Sequence, residues 1–165
     1  MNSLVVVFSC HHHNTEKIAH AIASVLDAPV KTPLQVDPAE VRDYDLVGFG
    51  SGIYSARFHD SVLDLIGRIP HTEGGWVFLF STFGAPPALF PGERLGNFIT
   101  ANHSAARELL QAGGYAILDE FSCPGFNTNS FLRFTGGLNK GRPSAEDLRR
   151  AEDFARNLKN RVKGV

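Results

Sequence analysis

Short apolar runs alternate along this chain with segments in which apolar residues recur every three or four positions. The first run covers residues 4–8, Leu-Val-Val-Val-Phe, and a helical stripe follows over residues 15–27. A continuous apolar run is typical of a strand that is buried on both faces. The i, i+3, i+4, i+7 spacing predicts an amphipathic helix. The chain therefore begins with a predicted strand, a short polar loop and a predicted helix.

The alternation continues to the C-terminus. Further strands are predicted at residues 28–31, 45–50, 76–80 and 115–122, of which residues 28–31 form a weak edge strand because they include Pro29. Helices are predicted from an apolar stripe over 58–69, over 103–112, and from Ser144, which forms a capping box with Asp147. Strand and helix alternate five times, which predicts a doubly wound α/β fold. We expect a three-layer α/β/α sandwich around a five-stranded parallel sheet, in one domain over residues 1–165.

Ligands of such sheets bind beyond the carboxyl ends of the strands, where the strand order reverses. Three loops lie there in the predicted fold, at residues 9–15, 50–57 and 81–97. A fourth stretch, residues 123–141, is rich in Gly and Asn and is too long to be a simple connection. We expect it to border the same site.

The first loop, Ser9-Cys10-His11-His12-His13-Asn14-Thr15, carries several hydrogen-bond donors and leads directly into a helix. The first N–H groups of a helix lack intrahelical partners, and the helix dipole favours negative charge there. The loop therefore predicts an anion site of the kind that holds a phosphate. The simpler alternative is a capped strand-to-helix turn with Asn14 or Thr15 as the N-cap. A metal site on the three histidines is the weaker interpretation, since neighbouring residues of a turn rarely converge on one ion, and no metal is expected.

The second loop combines Gly50 and Gly52 with Tyr54, whose ring would offer a flat stacking surface near a strand end. A surface turn with a packed tyrosine is the structural alternative. The third loop is long, proline-rich and aromatic, which is typical of functional or mobile loops.

Composition narrows the possible functions. The chain has 165 residues, a formal net charge of −1 and 43% hydrophobic residues. The sequence has no clustered excess of Lys and Arg, so nucleic acid is not an expected partner. It also has no apolar run long enough for a membrane span. The two cysteines, Cys10 and Cys123, are more typical of reduced thiols than of a disulfide framework. Since the cytoplasm keeps thiols reduced, a cytoplasmic location is expected.

Four segments together resemble small bacterial and archaeal proteins of the flavodoxin family, in the flavodoxin-like superfamily. They are SCHHHNTEKIA at residues 9–19, GFGSGIY at 48–54, EFSCPGF at 120–126 and GGLNKGRP at 136–143. The resemblance covers essentially the whole chain. It implies the strand order 2-1-3-4-5, noncovalent FMN, and electron transfer to or from redox partner proteins.

The resemblance also implies which residues bind the cofactor. The phosphate would be held by Ser9, His11, His12, His13, Asn14 and Thr15. The isoalloxazine ring would be flanked by Ser51, Gly52, Ile53 and Tyr54 on one side and by Ser81, Thr82, Phe83 and Gly84 on the other. Independently of the resemblance, the aromatic third loop offers Phe83 or Phe90 for the second wall, and Leu89 with Phe90 is equally a candidate for a lid or a partner-docking patch.

Two alternatives remain open at this point. The long third and fourth loops favour an FMN-dependent oxidoreductase that acts on a quinone or a similar substrate. The phosphate loop is one residue longer than the common Ser/Thr-x-Thr-Gly-x-Thr pattern, and His13 stands where glycine is usual. That departure favours an FMN-free binding module on the same fold.

Overall fold

A computed structural model describes residues 1–129, 134 and 136–164 of the protein. The strands and helices follow one another along the chain as β1 (Ser3–Phe8), α1 (Asn14–Leu26), β2 (Val30–Lys31), β3 (Leu46–Tyr54), β4 (Arg57–Phe58), α2 (Asp60–Arg68), β5 (Trp76–Phe83), α3 (Glu93–Ala112), β6 (Ala116–Pro124) and α4 (Ala145–Lys163). Short 3-10 helices occupy Pro33–Gln35, Pro38–Asp43 and Pro87–Leu89.

The sheet has the strand order β2-β1-β3-β5-β6, and all of these neighbours pair in parallel. The two-residue strand β4 pairs antiparallel with the end of β3 and lies off this path. Without β4, the order is the predicted 2-1-3-4-5, so the α/β fold class is confirmed. The order reverses between β1 and β3, which places the carboxyl ends of these strands beside the expected ligand site.

Each face of the sheet carries its own hydrophobic core. Val77 and Leu79 of β5 face the core that includes residues of α2 and α3, whereas Phe78 and Phe80 face the core shared with α1 and α4. Alternate side chains of a strand point to opposite faces, so burial on both faces explains why β5 is continuously apolar. Both cores hold the central strands in place below the carboxyl edge.

Strands β3 and β5 extend further than predicted, to Tyr54 and Phe83. Helix α3 begins at Glu93 rather than near residue 103. Its buried residues all lie from Asn102 onward, so its first turns have no core-facing apolar stripe to reveal them in the sequence.

The helix caps were predicted correctly in one case and wrongly in the other. Helix α4 has the expected capping box, in which Ser144 accepts from the Asp147 N–H and the Asp147 carboxylate accepts from the Ser144 N–H. Helix α1 instead follows His13. Asn14 and Thr15 lie inside its first turn, where their side chains bond to other segments.

Strand β6 forms one edge of the sheet and contains a bulge. Val77 is paired with Ile117 but Phe78 with Asp119, so Leu118 is an extra residue in the ladder. The Leu118 carbonyl accepts a hydrogen bond from the Arg161 guanidinium of α4, at 2.7 Å. The bulged residue is therefore tied to the neighbouring helix.

Among the helices of the described residues, none combines the length and the apolar character that crossing a membrane requires.

Candidate functional site

An open cavity of about 70 Å³ lies at the carboxyl edge of the sheet. Four segments of the chain contribute to its lining. The lining residues are Cys10, His11, His12, Asn14, Thr15, Gly52, Ile53, Tyr54, Thr82, Phe83, Gly84, Gly125, Phe126, Asn127, Thr128 and Asn129.

The loop between β1 and α1 has an unusual backbone. His11, His12 and His13 have φ values of 51°, 61° and 53°, so three consecutive residues lie in the left-handed region. That conformation costs about 1–2 kcal/mol for each residue with a Cβ atom. Such strain is typical of functional sites, where the surrounding structure fixes it.

The N-terminus of α1 borders the cavity, and its first N–H groups have no intrahelical partners. No side chain of the described residues caps this end of the helix, and residues of its first turn line the cavity. The free N–H groups and the positive end of the helix dipole favour a negatively charged ligand. Among the described residues, the lining contains no Lys, Arg, Asp or Glu, so the N-terminal N–H groups of α1 are its donors for a negatively charged group.

Asn14 and Thr15 tie α1 to two other segments of the site. The Asn14 amide nitrogen donates to the Phe126 carbonyl at 2.8 Å, and its Oδ1 is buried without a hydrogen-bond partner among the described residues. The hydroxyl oxygens of Thr15 and Thr82 are 2.8 Å apart. A buried acceptor without a partner is costly, so the free Oδ1 fits a ligand that supplies a hydroxyl or N–H group.

The ring of Tyr54 forms one wall of the cavity and is held from several sides. Its hydroxyl accepts from the Cys10 N–H at 3.3 Å and lies 3.0 Å from the Cys10 Sγ. A Cβ atom on Gly52 would meet the Tyr54 ring and hydroxyl at 2.9–3.0 Å, so the ring fits closely over this glycine. Edge-to-face contacts with Phe8 and His59 support it further. Burial and the hydrogen bond to Cys10 raise the pKa of Tyr54 to about 12, so its hydroxyl is neutral at physiological pH.

The aromatic residues expected for the second wall have different roles. Phe83 lines the cavity, but its ring packs edge-to-face against Phe98. Phe90 stacks on Phe98 with ring centroids 4.4 Å apart and does not line the cavity. Phe126 does line it and packs against the His12 ring at 4.5 Å.

The fourth loop closes one side of the cavity and is fastened to the first and third loops. The His12 Nε2 lies 2.7 Å from the Thr128 hydroxyl. The Asn139 amide donates to the carbonyls of Gly84, Ala85 and Gly125, each at 3.2 Å. The sequence had indicated residues 123–141 as a border of the site, of which 130–133 and 135 lie outside the described residues.

The cavity brings together ten of the residues that the sequence had indicated. They are His11, His12, Asn14, Thr15, Gly52, Ile53, Tyr54, Thr82, Phe83 and Gly84. The lining also contains Cys10 and residues 125–129, which were not on that list. The Gly- and Asn-rich composition of residues 123–141 was the sequence feature that indicated residues 125–129.

Four predicted residues do not line the cavity: Ser9, His13, Ser51 and Ser81. Ser9 and His13 instead border a separate groove beside α1. The hydroxyls of Ser51 and Ser81 are buried in the sheet, where Ser51 accepts from the His59 N–H and Ser81 contacts His103. Ser51 and Ser81 each lie one residue before the position at which their strand begins to line the cavity, Gly52 in β3 and Thr82 in β5.

The histidine-rich loop is not arranged as a metal site, because among the described residues no three His, Cys, Asp or Glu side chains form a group that could hold a metal ion. Both cysteines are free thiols. Cys123 is buried, and burial together with the nearby Asp147 charge raises its pKa to about 12.

Comparison with known proteins identifies one close relative. No family model matches the chain. The chain is 38% identical over 160 residues to the uncharacterized protein MJ0298 of Methanocaldococcus jannaschii, and the match covers 96% of this chain and 98% of that protein.

Solved structures show the same fold at low sequence identity. Oxidised Flavodoxin 2 from Bacillus cereus matches with a TM-score of 0.69 and 16% identity, covering 98% of this chain and 99% of that one. A flavodoxin from the domain Archaea matches with a TM-score of 0.66 and 16% identity, covering 99% of both chains. A Lactobacillus acidophilus flavoprotein in complex with FMN matches with a TM-score of 0.51 and 19% identity, covering 73% of this chain and 92% of that one. The chain therefore belongs to the same family as the M. jannaschii protein, and it has the same fold as the flavodoxins.

Proposed function

We propose that this protein binds FMN noncovalently in the cavity at the carboxyl edge of the sheet and takes part in electron transfer. The observation that carries the proposal is the presence of two complementary features in one cavity. The uncapped N-terminus of α1 suits a phosphate, and the Tyr54 ring suits the face of a planar heterocycle. The flavodoxin-like fold and the FMN complex of the L. acidophilus flavoprotein support the same assignment.

The lining residues divide into two groups in this proposal. His11, His12, Asn14 and Thr15 would hold the phosphate and the neighbouring hydroxyl groups, together with the first N–H groups of α1. Gly52, Ile53, Tyr54, Thr82, Phe83 and Gly84 would border the isoalloxazine ring. Ser9, His13, Ser51 and Ser81 would support these segments from behind. Bound FMN supplies the electron-transfer chemistry, and the protein supplies binding and orientation.

Titration of the purified protein with FMN tests this function. We expect flavin fluorescence to be quenched beside Tyr54 and the melting temperature to rise with FMN concentration, since a ligand that binds only the folded state stabilises it. Protein that neither changes the flavin spectrum nor gains thermal stability in excess FMN would contradict the proposal.

A pair of glycine variants makes the test specific to the cavity. A Cβ atom on Gly84 would lie 2.4 Å from the Asn127 amide nitrogen, so Gly84→Ala displaces the wall between the third and fourth loops. We expect it to weaken FMN binding about tenfold or more, the effect of losing about 1.4 kcal/mol. Gly67→Ala in α2 is the matched control, since among the described residues nothing beyond its own helix backbone and chain neighbours lies within 4 Å of the added methyl group, and FMN affinity should stay as in the wild type.

A second candidate function is an FMN-dependent oxidoreductase with a small substrate such as a quinone. The observation that favours it is the fourth loop, because Asn127, Thr128 and Asn129 place amide and hydroxyl groups on the border of the same cavity. Steady-state turnover of NAD(P)H and a quinone by the FMN-loaded protein alone would support this candidate. A pure electron carrier would instead turn over only when a separate reductase protein is added.

A further inference from the structure

The contact between Cys10 and Tyr54 joins the two halves of the proposed FMN site. Cys10 belongs to the loop before α1, and Tyr54 ends β3, 44 positions later in the chain. The Cys10 N–H donates to the Tyr54 hydroxyl at 3.3 Å, and the Cys10 Sγ lies 3.0 Å from the same oxygen. Because this oxygen accepts from the N–H, its own proton is free to be donated to the sulfur. Two hydrogen bonds thus connect the phosphate side with the ring side.

The other contacts of Tyr54 restrain its ring, whereas Cys10 determines the orientation of its hydroxyl group. Gly52 lies beneath the ring, and Phe8 and His59 contact it edge to face. Among the described residues, Cys10 provides the hydrogen bonds made by the Tyr54 hydroxyl. The Cys10 Sγ also lies 3.0 Å from the His11 Nδ1, so the sulfur connects Tyr54 with the left-handed turn of the loop.

We propose that Cys10 is a positioning residue that makes the phosphate and the ring of FMN bind cooperatively. A phosphate bound at the N-terminus of α1 orders the preceding loop, which fixes Cys10, and Cys10 then holds Tyr54 in the orientation that contacts the ring. This inference rests on the proposed function. It assigns to Cys10 the role of linking phosphate binding at the loop to the orientation of Tyr54.

Cooperativity of this kind is reciprocal: if phosphate binding favours the ring-binding arrangement, ring binding favours the phosphate-binding arrangement by the same factor. Riboflavin has the ring but lacks the phosphate. The ratio of the riboflavin dissociation constant to the FMN dissociation constant therefore contains the coupling, whereas a general loss of structure weakens both ligands alike.

The experiment measures both dissociation constants by fluorescence titration for the wild type and for Cys10→Ala, Cys10→Ser, Tyr54→Phe and the double variant Cys10→Ala/Tyr54→Phe. We expect Cys10→Ala to lower the ratio about three- to tenfold, the effect of one hydrogen bond. Tyr54→Phe keeps the ring but also removes the bond from the Cys10 N–H, so it should lower the ratio at least as much, and the double variant should match Tyr54→Phe. Cys10→Ser should restore the ratio, because its hydroxyl also accepts from the Tyr54 hydroxyl.

A control separates this contact from a general effect of losing a tyrosine hydroxyl. Tyr115→Phe removes a hydroxyl that donates to the Pro70 carbonyl away from the cavity lining, and it should leave the ratio unchanged. A ratio that is also unchanged in Cys10→Ala, or additive losses in the double variant, would overturn the inference while leaving FMN binding intact. A wild type that binds neither flavin would overturn the proposed function itself.

A second measurement needs no flavin. The same double-mutant cycle, followed by urea unfolding of the cofactor-free protein, reports whether Cys10 and Tyr54 interact in the folded chain. We expect the two single losses to add up to more than the loss in the double variant. Strict additivity would mean that the contact does not form in solution, and it would overturn the inference even if FMN binds.

Discussion

The hydroxyl oxygens of Thr15 and Thr82 lie 2.8 Å apart beneath the cavity and join the first turn of α1 to the end of β5. Both residues are buried. Each hydroxyl is the hydrogen-bond partner of the other, so the pair fixes the helix N-terminus relative to the central strands. The proposed anion site depends on that placement, because its donors belong to the helix and its floor belongs to the sheet.

Thr82→Val should therefore reduce the free energy of unfolding, although it hardly changes the size of the side chain. The substitution keeps the shape of the side chain but leaves the Thr15 hydroxyl buried without its partner. We expect the free energy of unfolding to fall by about 1–2 kcal/mol, and the double variant Thr15→Val/Thr82→Val to lose less than the sum of the single variants. Urea denaturation measures both. Ser104→Ala, at an exposed hydroxyl within α3, is the control and should stay within about 0.5 kcal/mol of the wild type.

The same substitution at two histidines should have opposite effects. His13 has a φ of 53°, so His13→Gly relieves left-handed strain and should raise the free energy of unfolding by up to about 1 kcal/mol. The ion pair of His13 with Glu16 is largely exposed and contributes little. His20 lies inside α1, where His20→Gly should cost about 0.5 kcal/mol. Thermal unfolding of the two variants tests the difference, and a shift of the same sign in both would refute it.

Asn139 holds the fourth loop in place by two separable properties. It has a φ of 56°, and its amide donates to three carbonyls of the loops around the cavity. Asn139→Ala loses the donors and adds backbone strain, whereas Asn139→Gly loses the donors alone. We expect faster hydrogen exchange at the Asn127 N–H in both variants, and a larger loss of stability, by about 1 kcal/mol, in the alanine variant. Equal losses of stability in the two variants would show that the left-handed conformation of Asn139 does not affect the stability of the alanine variant.

Glu120 should make the protein less stable in acid. Burial raises the pKa of this carboxyl, but hydrogen bonds from His103 and Arg107 and their charges outweigh burial, so the pKa lies below its usual value of 4.5. A lowered folded-state pKa contributes stability that is complete above the unfolded-state value and is lost as the pH falls through the folded-state value. Glu120→Gln should therefore cost about 2 kcal/mol at pH 7 and progressively less below about pH 4.5.

Urea denaturation across the pH range measures this difference. Glu108→Gln is the control, since Glu108 is exposed on the same α3 helix that carries His103 and Arg107. It should leave stability within about 0.5 kcal/mol of the wild type at every pH. If the free energy of unfolding of Glu120→Gln stays below that of the wild type by a constant amount down to pH 3, the lowered pKa of Glu120 is contradicted.

Much of the fold follows from the sequence because burial leaves a periodic pattern. The continuous apolar runs of β1 and β5 identified central strands, and Ser144 with Asp147 identified the start of α4. The first turns of α3 left no such pattern, because they extend beyond the core. Strand β4 is a two-residue pairing with β3, which is too short to leave a periodicity.

The candidate site was predictable in position but less so in detail. The strand-end rule located its three loops, and ten of the indicated residues line the cavity. Which side chains of β3 and β5 face it depends on the register at the strand ends, and the sequence does not reveal where each strand stops. The contact of Cys10 with Tyr54 joins residues 44 positions apart, and no local pattern records such a pairing.

The extra residue in β6 has a consequence for how copies of this protein meet one another. An open strand edge is a template on which a second chain can add its own strand. Here Leu118 interrupts the regular spacing of the ladder, and Arg161 occupies its carbonyl. Strand β6 is therefore an irregular template, which disfavours the addition of a second chain's strand at this edge of the sheet.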